Sequence, residues 1–99
     1  MPPAYIIGID LGTTNCALAF ARVDGTDVTD FPITQVQRPS EVADRALLPS
    51  CLYLPSVHEL PAGSTALPWG DESGCLAGEC ARWLGARTPG RLVVSAKSW

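Results

Sequence analysis

A short polar segment near the amino terminus has the residue types, in the right order, to bind a phosphate group. It reads Asp10-Leu11-Gly12-Thr13-Thr14-Asn15. Because Gly12 has no Cβ, the backbone there can bend and approach an anion closely. Successive backbone N–H groups in such a turn can form a nest for an anion, and the hydroxyls of Thr13 and Thr14 are further donors. The segment therefore predicts a turn that binds phosphate.

A carboxylate comes just before this turn. Asp10 follows an apolar run and is expected to point toward the same place as the turn. A carboxylate does not bind phosphate directly, but it can hold a hydrated Mg²⁺ ion that also contacts phosphates. The same residue types are common in turns without any ligand, so an ordinary turn is the alternative interpretation.

The segments around the turn predict strands that would position it. Residues 5–9 form a continuous apolar run, which is typical of a strand buried on both faces. Residues 16–23 alternate large and small side chains, as in a half-buried strand. Asp24-Gly25 then predicts a hairpin turn, and residues 27–34 a third strand. Short connections between consecutive strands indicate an antiparallel meander.

The rest of the chain predicts shorter elements around a long loop. Residues 35–45 are polar and predict a crossing loop, and residues 55–74 predict a long loop or insertion. Apolar residues at helical spacing predict a helix over residues 79–86. The remaining predicted strands are residues 51–54, 75–78 and 92–94.

Composition narrows the class of protein. The chain has 99 residues, which suits one small domain. Its net charge of −3 argues against a nucleic-acid or membrane-surface partner. Its apolar runs are far shorter than the roughly 20 residues that a membrane span needs. The amino-terminal residues lack the pattern of a secretory signal, so a cytoplasmic location is expected.

The cysteines do not have the spacing of a zinc site. One histidine, His58, falls in the predicted long loop. We expect small reduced side chains that neither form disulfides nor bind metal. The cysteines concerned are Cys16, Cys51, Cys75 and Cys80.

At this point the sequence resembles a known superfamily. Ile-Ile-Gly-Ile-Asp-Leu-Gly-Thr-Thr-Asn, residues 6–15, resembles the first phosphate loop of actin, hexokinase-type sugar kinases and seventy-kilodalton heat-shock chaperones. The unbroken motif with a nearby cysteine is most similar to the DnaK-type heat-shock chaperones.

Three weaker matches follow in the family's order. Leu48-Pro49-Ser50-Cys51-Leu52-Tyr53 resembles its Thr-Pro-Ser strand, residues 76–82 the start of a helix, and Ser95-Ala96-Lys97 the segment with its catalytic lysine. The chain departs from the family in lacking a serine between Asn15 and Cys16 and in having a longer loop after Leu54.

The resemblance implies an α/β fold, a fragment of an actin-like ATPase lobe related to RNase H. Residues 1–37 would be the antiparallel β-meander with the first phosphate loop. Residues 38–99 would be part of a peripheral α/β subdomain, with an insertion at about 55–74.

The resemblance also implies roles for single residues. Asp10 would bind Mg²⁺ through water, and Lys97 would position the attacking water and offset charge on the γ-phosphate. The residues implied to line the β- and γ-phosphates of ATP are Gly12, Thr13, Thr14 and Asn15.

The implied parent is a chaperone that couples ATP hydrolysis to binding of unfolded polypeptides, with co-chaperones as further partners. Its second phosphate loop and adenosine pocket would lie beyond Trp99, so this piece alone is expected to be inactive as an ATPase. The abrupt end favours a piece of something longer over a short gene. A sugar kinase of the same superfamily, and a non-catalytic protein-binding module with this fold, are the alternatives.

Overall fold

The computed structural model describes residues 4–70 and 74–95, which form a mixed α/β arrangement of mostly antiparallel strands with one α-helix. A short 3₁₀ turn, Pro89–Arg91, precedes the last strand. In chain order the elements are β1 Tyr5–Leu11, β2 Asn15–Arg22, β3 Val28–Asp30, β4 Ile33–Arg38, β5 Glu41–Arg45, β6 Leu48–Pro49, β7 Cys51–Tyr53, β8 Leu76–Ala77, α1 Glu79–Gly85 and β9 Leu92–Val94.

The predicted meander is confirmed. β1 pairs with β2 and β2 with β3, both antiparallel, and the Gly25 amide donates to the Arg22 carbonyl in the second turn. β6 also pairs with β2, beside the first turn, where Asn15 lies opposite Pro49. The meander and the later part of the chain therefore meet at the phosphate-like turn.

The two faces of the meander differ in side-chain size, as the alternation in β2 predicts. One face holds an aromatic row, in which the Phe20 ring lies 5.8 Å from Tyr5 and 6.0 Å from Phe31, both edge to face. The other face holds the alanines of β2. Within the described residues neither face is covered by a helix.

The expectation that β1 is buried on both faces is wrong for this chain. Every residue of β1 is exposed, with Ile6 at 62% and both Ile7 and Ile9 at 66%. An apolar run makes a strand suited to burial, but burial itself needs elements packed on each face. Among the described residues no such element lies against β1.

The third strand is shorter than predicted. β3 ends at Asp30, and the chain passes Pro32 before β4 begins at Ile33 in a different sheet. Proline has no N–H to donate to a ladder, so it separates the two strands.

Residues 35–45 form a hairpin, so the predicted crossing loop is wrong. β4 pairs with β5, and a bulge between Val36 and Arg38 precedes the turn at Ser40, whose φ is 65°. The segment is polar because the hairpin is half exposed, while Gln35 and Val36 are buried against the rest of the chain. β4 also crosses residue 37, the predicted boundary between the two parts of the chain, and that boundary remains a prediction.

The buried core lies beneath α1, which packs on β4 and β7. Cys80 and Leu84 fall one helical turn apart and face inward, as the spacing predicts, and Ala81 is buried with them. The predicted strands near residues 51–54, 75–78 and 92–94 are confirmed. They form one sheet, in the order β8–β7–β9. The buried hydrophobic residues are Val36, Tyr53, Leu76, Cys80, Ala81 and Leu84.

A buried amide joins the hairpin to the helix. Gln35 donates to the Leu47 carbonyl at 3.0 Å and accepts from the Glu79 amide at 3.0 Å, at the start of α1. Gly78 precedes the helix with φ of 90°, and a Cβ there would overlap the Leu48 side chain and the Gln35 amide. Glycine is therefore required at this position both by conformation and by space.

The long segment after β7 is irregular where it is described, apart from an isolated bridge between Leu67 and Gly70. It is anchored by Tyr53, whose fully buried hydroxyl donates to Glu59 at 2.6 Å. That hydrogen bond is the main cause that lowers the pKa of Glu59, with the Ser56 amide adding to it.

Candidate functional site

The turn between β1 and β2 is tighter than predicted. Asp10 and Leu11 still belong to β1 and Asn15 begins β2, so the connection is residues 12–14, named here the 12–14 turn. A Cβ on Gly12 would overlap the carbonyl oxygen of Asn15. Only glycine fits this close approach of backbone to backbone.

All three carbonyl groups of the 12–14 turn accept hydrogen bonds from the later part of the chain. The Ser50 hydroxyl donates to Gly12 at 2.8 Å, and the Ser50 amide donates to Thr14 at 2.8 Å. The Ser95 hydroxyl donates to the Thr13 carbonyl at 2.8 Å. Two serines therefore fix one side of the turn.

The Thr13 and Thr14 N–H groups face the opposite way. In a trans peptide the N–H points away from the preceding C=O, so the Thr13 and Thr14 amides point away from Ser50 and Ser95. Within residues 4–70 and 74–95, these amides and the two threonine hydroxyls have no hydrogen-bond acceptor. These amides and hydroxyls are exposed donors on a turn whose carbonyl groups are fixed by Ser50 and Ser95.

The predicted carboxylate lies on one face of the sheet beside this turn. Asp10 is opposite Ala17 in the β1–β2 register, so its side chain shares the small-residue face with Asn15, two residues nearer the turn. Small neighbours leave Asp10 exposed. The structure thus brings Asp10, Gly12, Thr13, Thr14 and Asn15 together at one corner of the meander.

Lys97 lies outside the described residues. The described segment that leads to it is attached to the turn: besides its hydroxyl contact with Thr13, the Ser95 amide donates to the Ser50 carbonyl at 3.2 Å. Ser95 has a φ of 52°, uncommon for a residue with a side chain.

The roles of Ser50 and Ser95 are missing from the sequence-based site. Both serines occur in motifs that carry the resemblance, but those motifs do not say that their hydroxyls hold turn carbonyls. Ser50 is also 3.5 Å from the Cys16 sulfur. The sequence indicated only that both serines lie in these motifs. Their hydrogen-bond partners in the turn follow only from the fold.

The cysteines form no disulfide, and all four are in the described part of the chain. Burial raises the pKa of the Cys51 and Cys80 thiols, so both are protonated near neutral pH. In residues 4–70 and 74–95, no group of three histidine, cysteine or acidic side chains is arranged to hold a metal ion.

No family model and no curated protein matches the sequence, and no solved structure matches the fold. Among the described residues, no helix has the length and apolar character to cross a membrane.

Proposed function

We propose that the 12–14 turn binds the phosphates of ATP with Mg²⁺, as the first phosphate loop in the nucleotide-binding lobe of a heat-shock-70-like chaperone ATPase. The observation that carries the proposal is the two-sided turn. Its carbonyls are held by Ser50 and Ser95, and its Thr13 and Thr14 amides are directed away from them. A phosphate needs donors and is repelled by carbonyl oxygens, so this division suits an anion.

The donor set fits the phosphate and its cation separately. The turn amides and the hydroxyls of Thr13 and Thr14 are neutral donors for phosphate oxygens. The exposed carboxylate of Asp10 suits a cation that keeps most of its water ligands, as Mg²⁺ does. In this proposal Asp10 contacts the hydrated ion, and Asn15 lies on the same face of the sheet.

The family resemblance supplies the rest of the proposal. Lys97 would offset charge that develops on the γ-phosphate, a role of positioning and electrostatics in phosphoryl transfer. In the parent protein, ATP hydrolysis would be coupled to binding of unfolded polypeptides, with co-chaperones as partners. The meander by itself encloses neither the adenosine nor the second side of the phosphates, so hydrolysis by the chain alone is not expected.

The proposal is tested by amide chemical shifts of the 99-residue chain. We expect Mg·ATP and Mg·pyrophosphate to shift the amide resonances of residues 12–15, and adenosine to leave them unchanged. Binding should be weak because one wall of the site is engaged. The informative variant is Gly12→Ala, since the added Cβ overlaps Asn15.

Gly25→Ala is the matched control, because Gly25 is in the other turn of the meander and a Cβ there comes no nearer than 3.4 Å to Arg22. It should retain the shifts that Gly12→Ala loses. Equal responses of the two variants to Mg·ATP, or shifts confined to other segments, would refute the proposed site.

A further inference from the structure

The two serines that hold the 12–14 turn are bonded to its carbonyls in a regular order. The Ser50 hydroxyl donates to the Gly12 carbonyl and the Ser95 hydroxyl to the Thr13 carbonyl, both at 2.8 Å. The Ser95 amide donates to the Ser50 carbonyl at 3.2 Å. The turn and the two serines therefore form one closed network of hydrogen bonds.

Each of these carbonyls shares a peptide group with one of the amides proposed to bind phosphate. The carbonyl of Gly12 and the N–H of Thr13 belong to one peptide group, and the carbonyl of Thr13 and the N–H of Thr14 belong to the next. No cis peptide bond occurs in the described part of the chain, so in both groups the N–H points away from the serine. A hydroxyl that donates to the carbonyl fixes the plane of the peptide group and polarises it, which makes the N–H a stronger donor.

A thiol extends the first of these hydrogen-bond chains. The Cys16 sulfur lies 3.5 Å from the Ser50 oxygen. The single proton of the Ser50 hydroxyl is already donated to Gly12, so the thiol is the donor in this contact. The order is therefore Cys16 S–H to Ser50 O–H to the Gly12 carbonyl, and hydrogen bonds in such a chain strengthen one another.

We propose that Ser50 and Ser95 are positioning residues for phosphate, and that each acts through one peptide group of the turn. Ser50 orients and polarises the Thr13 amide, and Ser95 does the same for the Thr14 amide. Phosphate is then bound by amides that are oriented before it arrives, which lowers the cost of binding. This inference rests on the proposed function and adds to it two residues that themselves touch no phosphate.

The backbone of Ser95 is an independent observation in favour of this role. Ser95 directly follows β9 and has a φ of 52°. A residue with a side chain keeps such a conformation only where its surroundings impose it, and such residues cluster at functional sites. The contacts that impose it here are the hydrogen bonds to the Thr13 and Ser50 carbonyls. The strained residue is therefore the one that ties β9 to the turn.

Carbonyl-carbon chemical shifts of the chain without ligand test the pairing of each serine with its peptide group. Ser95→Gly removes the hydroxyl and adopts the positive φ readily, so the fold should be retained. We expect the carbonyl-carbon resonance of Thr13 to move to lower frequency and that of Gly12 to stay in place. Ser50→Ala should give the reverse pattern. Equal movement of both resonances in both variants would show a general loosening of the turn and overturn the inference.

Affinity for Mg·pyrophosphate tests whether the oriented amides contribute to binding. The amide shifts of Thr13 and Thr14 report the dissociation constant. It should rise about three- to tenfold in Ser95→Gly and in Ser50→Ala, because each variant loses one hydrogen bond that orients a donor. Cys16→Ala removes only the outer member of its chain and should raise the dissociation constant by less than Ser50→Ala does.

Two serines outside the network supply matched controls. Ser40→Gly also replaces a serine of positive φ, 65°, and Ser64→Ala also removes a hydroxyl that donates to a carbonyl, that of Pro61 at 2.7 Å. Both should bind Mg·pyrophosphate as the wild type does. Turn resonances that do not respond to Mg·pyrophosphate in the wild type would overturn the proposed function together with this inference. A responding wild type with unchanged affinity in either Ser95→Gly or Ser50→Ala, or with equal losses in the controls, would overturn this inference alone.

Discussion

The meander and the helical unit use apolar residues in opposite ways. The meander is residues 5–30, and the helical unit is residues 33–95 as far as they are described. Among the described residues, all six of the buried hydrophobic core lie in the helical unit, between Val36 and Leu84. The meander has the longer apolar run, yet all of β1 is exposed.

The difference shows that strand formation and burial are separate events. β1 and β2 are held by a regular ladder, which needs only the two strands and a turn. The helical unit adds a helix over a sheet, and that second layer removes Tyr53 and Cys80 from solvent. We therefore expect the helical unit to provide most of the free energy of unfolding, and the meander to provide the exposed groups that can bind a ligand.

The largest expected effect comes from truncating one apolar side chain in each region. Leu84→Ala should lower the free energy of unfolding by about 2–5 kcal/mol, because it leaves a cavity under α1. Ile9→Ala should change it by less than about 0.5 kcal/mol in dilute solution, since Ile9 is 66% exposed. Urea unfolding followed by circular dichroism measures both; similar losses would contradict the division into two regions.

A pair of glycines sharpens the same comparison. Gly78→Ala should cost about 1–3 kcal/mol, because alanine resists the positive φ and its Cβ overlaps Leu48 and Gln35. Gly8→Ala should cost almost nothing, since the space around it is open. Thermal unfolding of the two variants gives the difference, and a destabilised Gly8→Ala would mean that β1 is covered.

Removing a hydrogen bond between the two regions should have a smaller effect on the free energy of unfolding. Ser50→Ala removes the hydroxyl that holds the Gly12 carbonyl and should lower stability by about 1 kcal/mol. It should also speed hydrogen exchange in the 12–14 turn. Ser56→Ala is the control, because the contact of Ser56 with Glu59 uses the backbone amide. Unchanged exchange in Ser50→Ala would show that the turn holds its shape unaided.

The smallest effect is a pH dependence confined to the helical unit. The Tyr53 hydroxyl lowers the pKa of Glu59, so the contact stabilises the fold fully above the ordinary carboxyl pKa of 4.5. This stabilisation is lost as pH falls further, through the lowered pKa of the folded state. The difference in melting temperature between wild type and Tyr53→Phe should shrink from pH 7 to pH 3. A constant difference would assign the effect to packing.

Sequence predicts the elements whose signals are local. The order of β1, β2 and β3, the turn at Gly12 and the helix with Cys80 and Leu84 all follow from spacing within a few residues. The β4–β5 hairpin was missed because its buried amide, Gln35, is polar and its turn at Ser40 has no glycine.

The contacts that hold the site could not be predicted from sequence spacing. Ser50 and Gly12 are 38 positions apart, and Ser95 and Thr13 are 82 apart. Such contacts depend on how β6 and β9 are placed by the rest of the fold. The exposure of β1 was mispredicted for a related reason, since no local pattern states what packs on a strand.

The register of the β8–β7–β9 sheet sets an order of events during synthesis. Cys51 pairs with Val94, and the roughly 40 intervening residues take about 2–8 s to translate. The β1–β2 hairpin, by contrast, is complete in sequence by Arg22 and such hairpins close in about 1–10 μs. Once the hairpin has left the ribosome, its apolar residues are exposed to solvent for seconds before the later elements can enclose Tyr53.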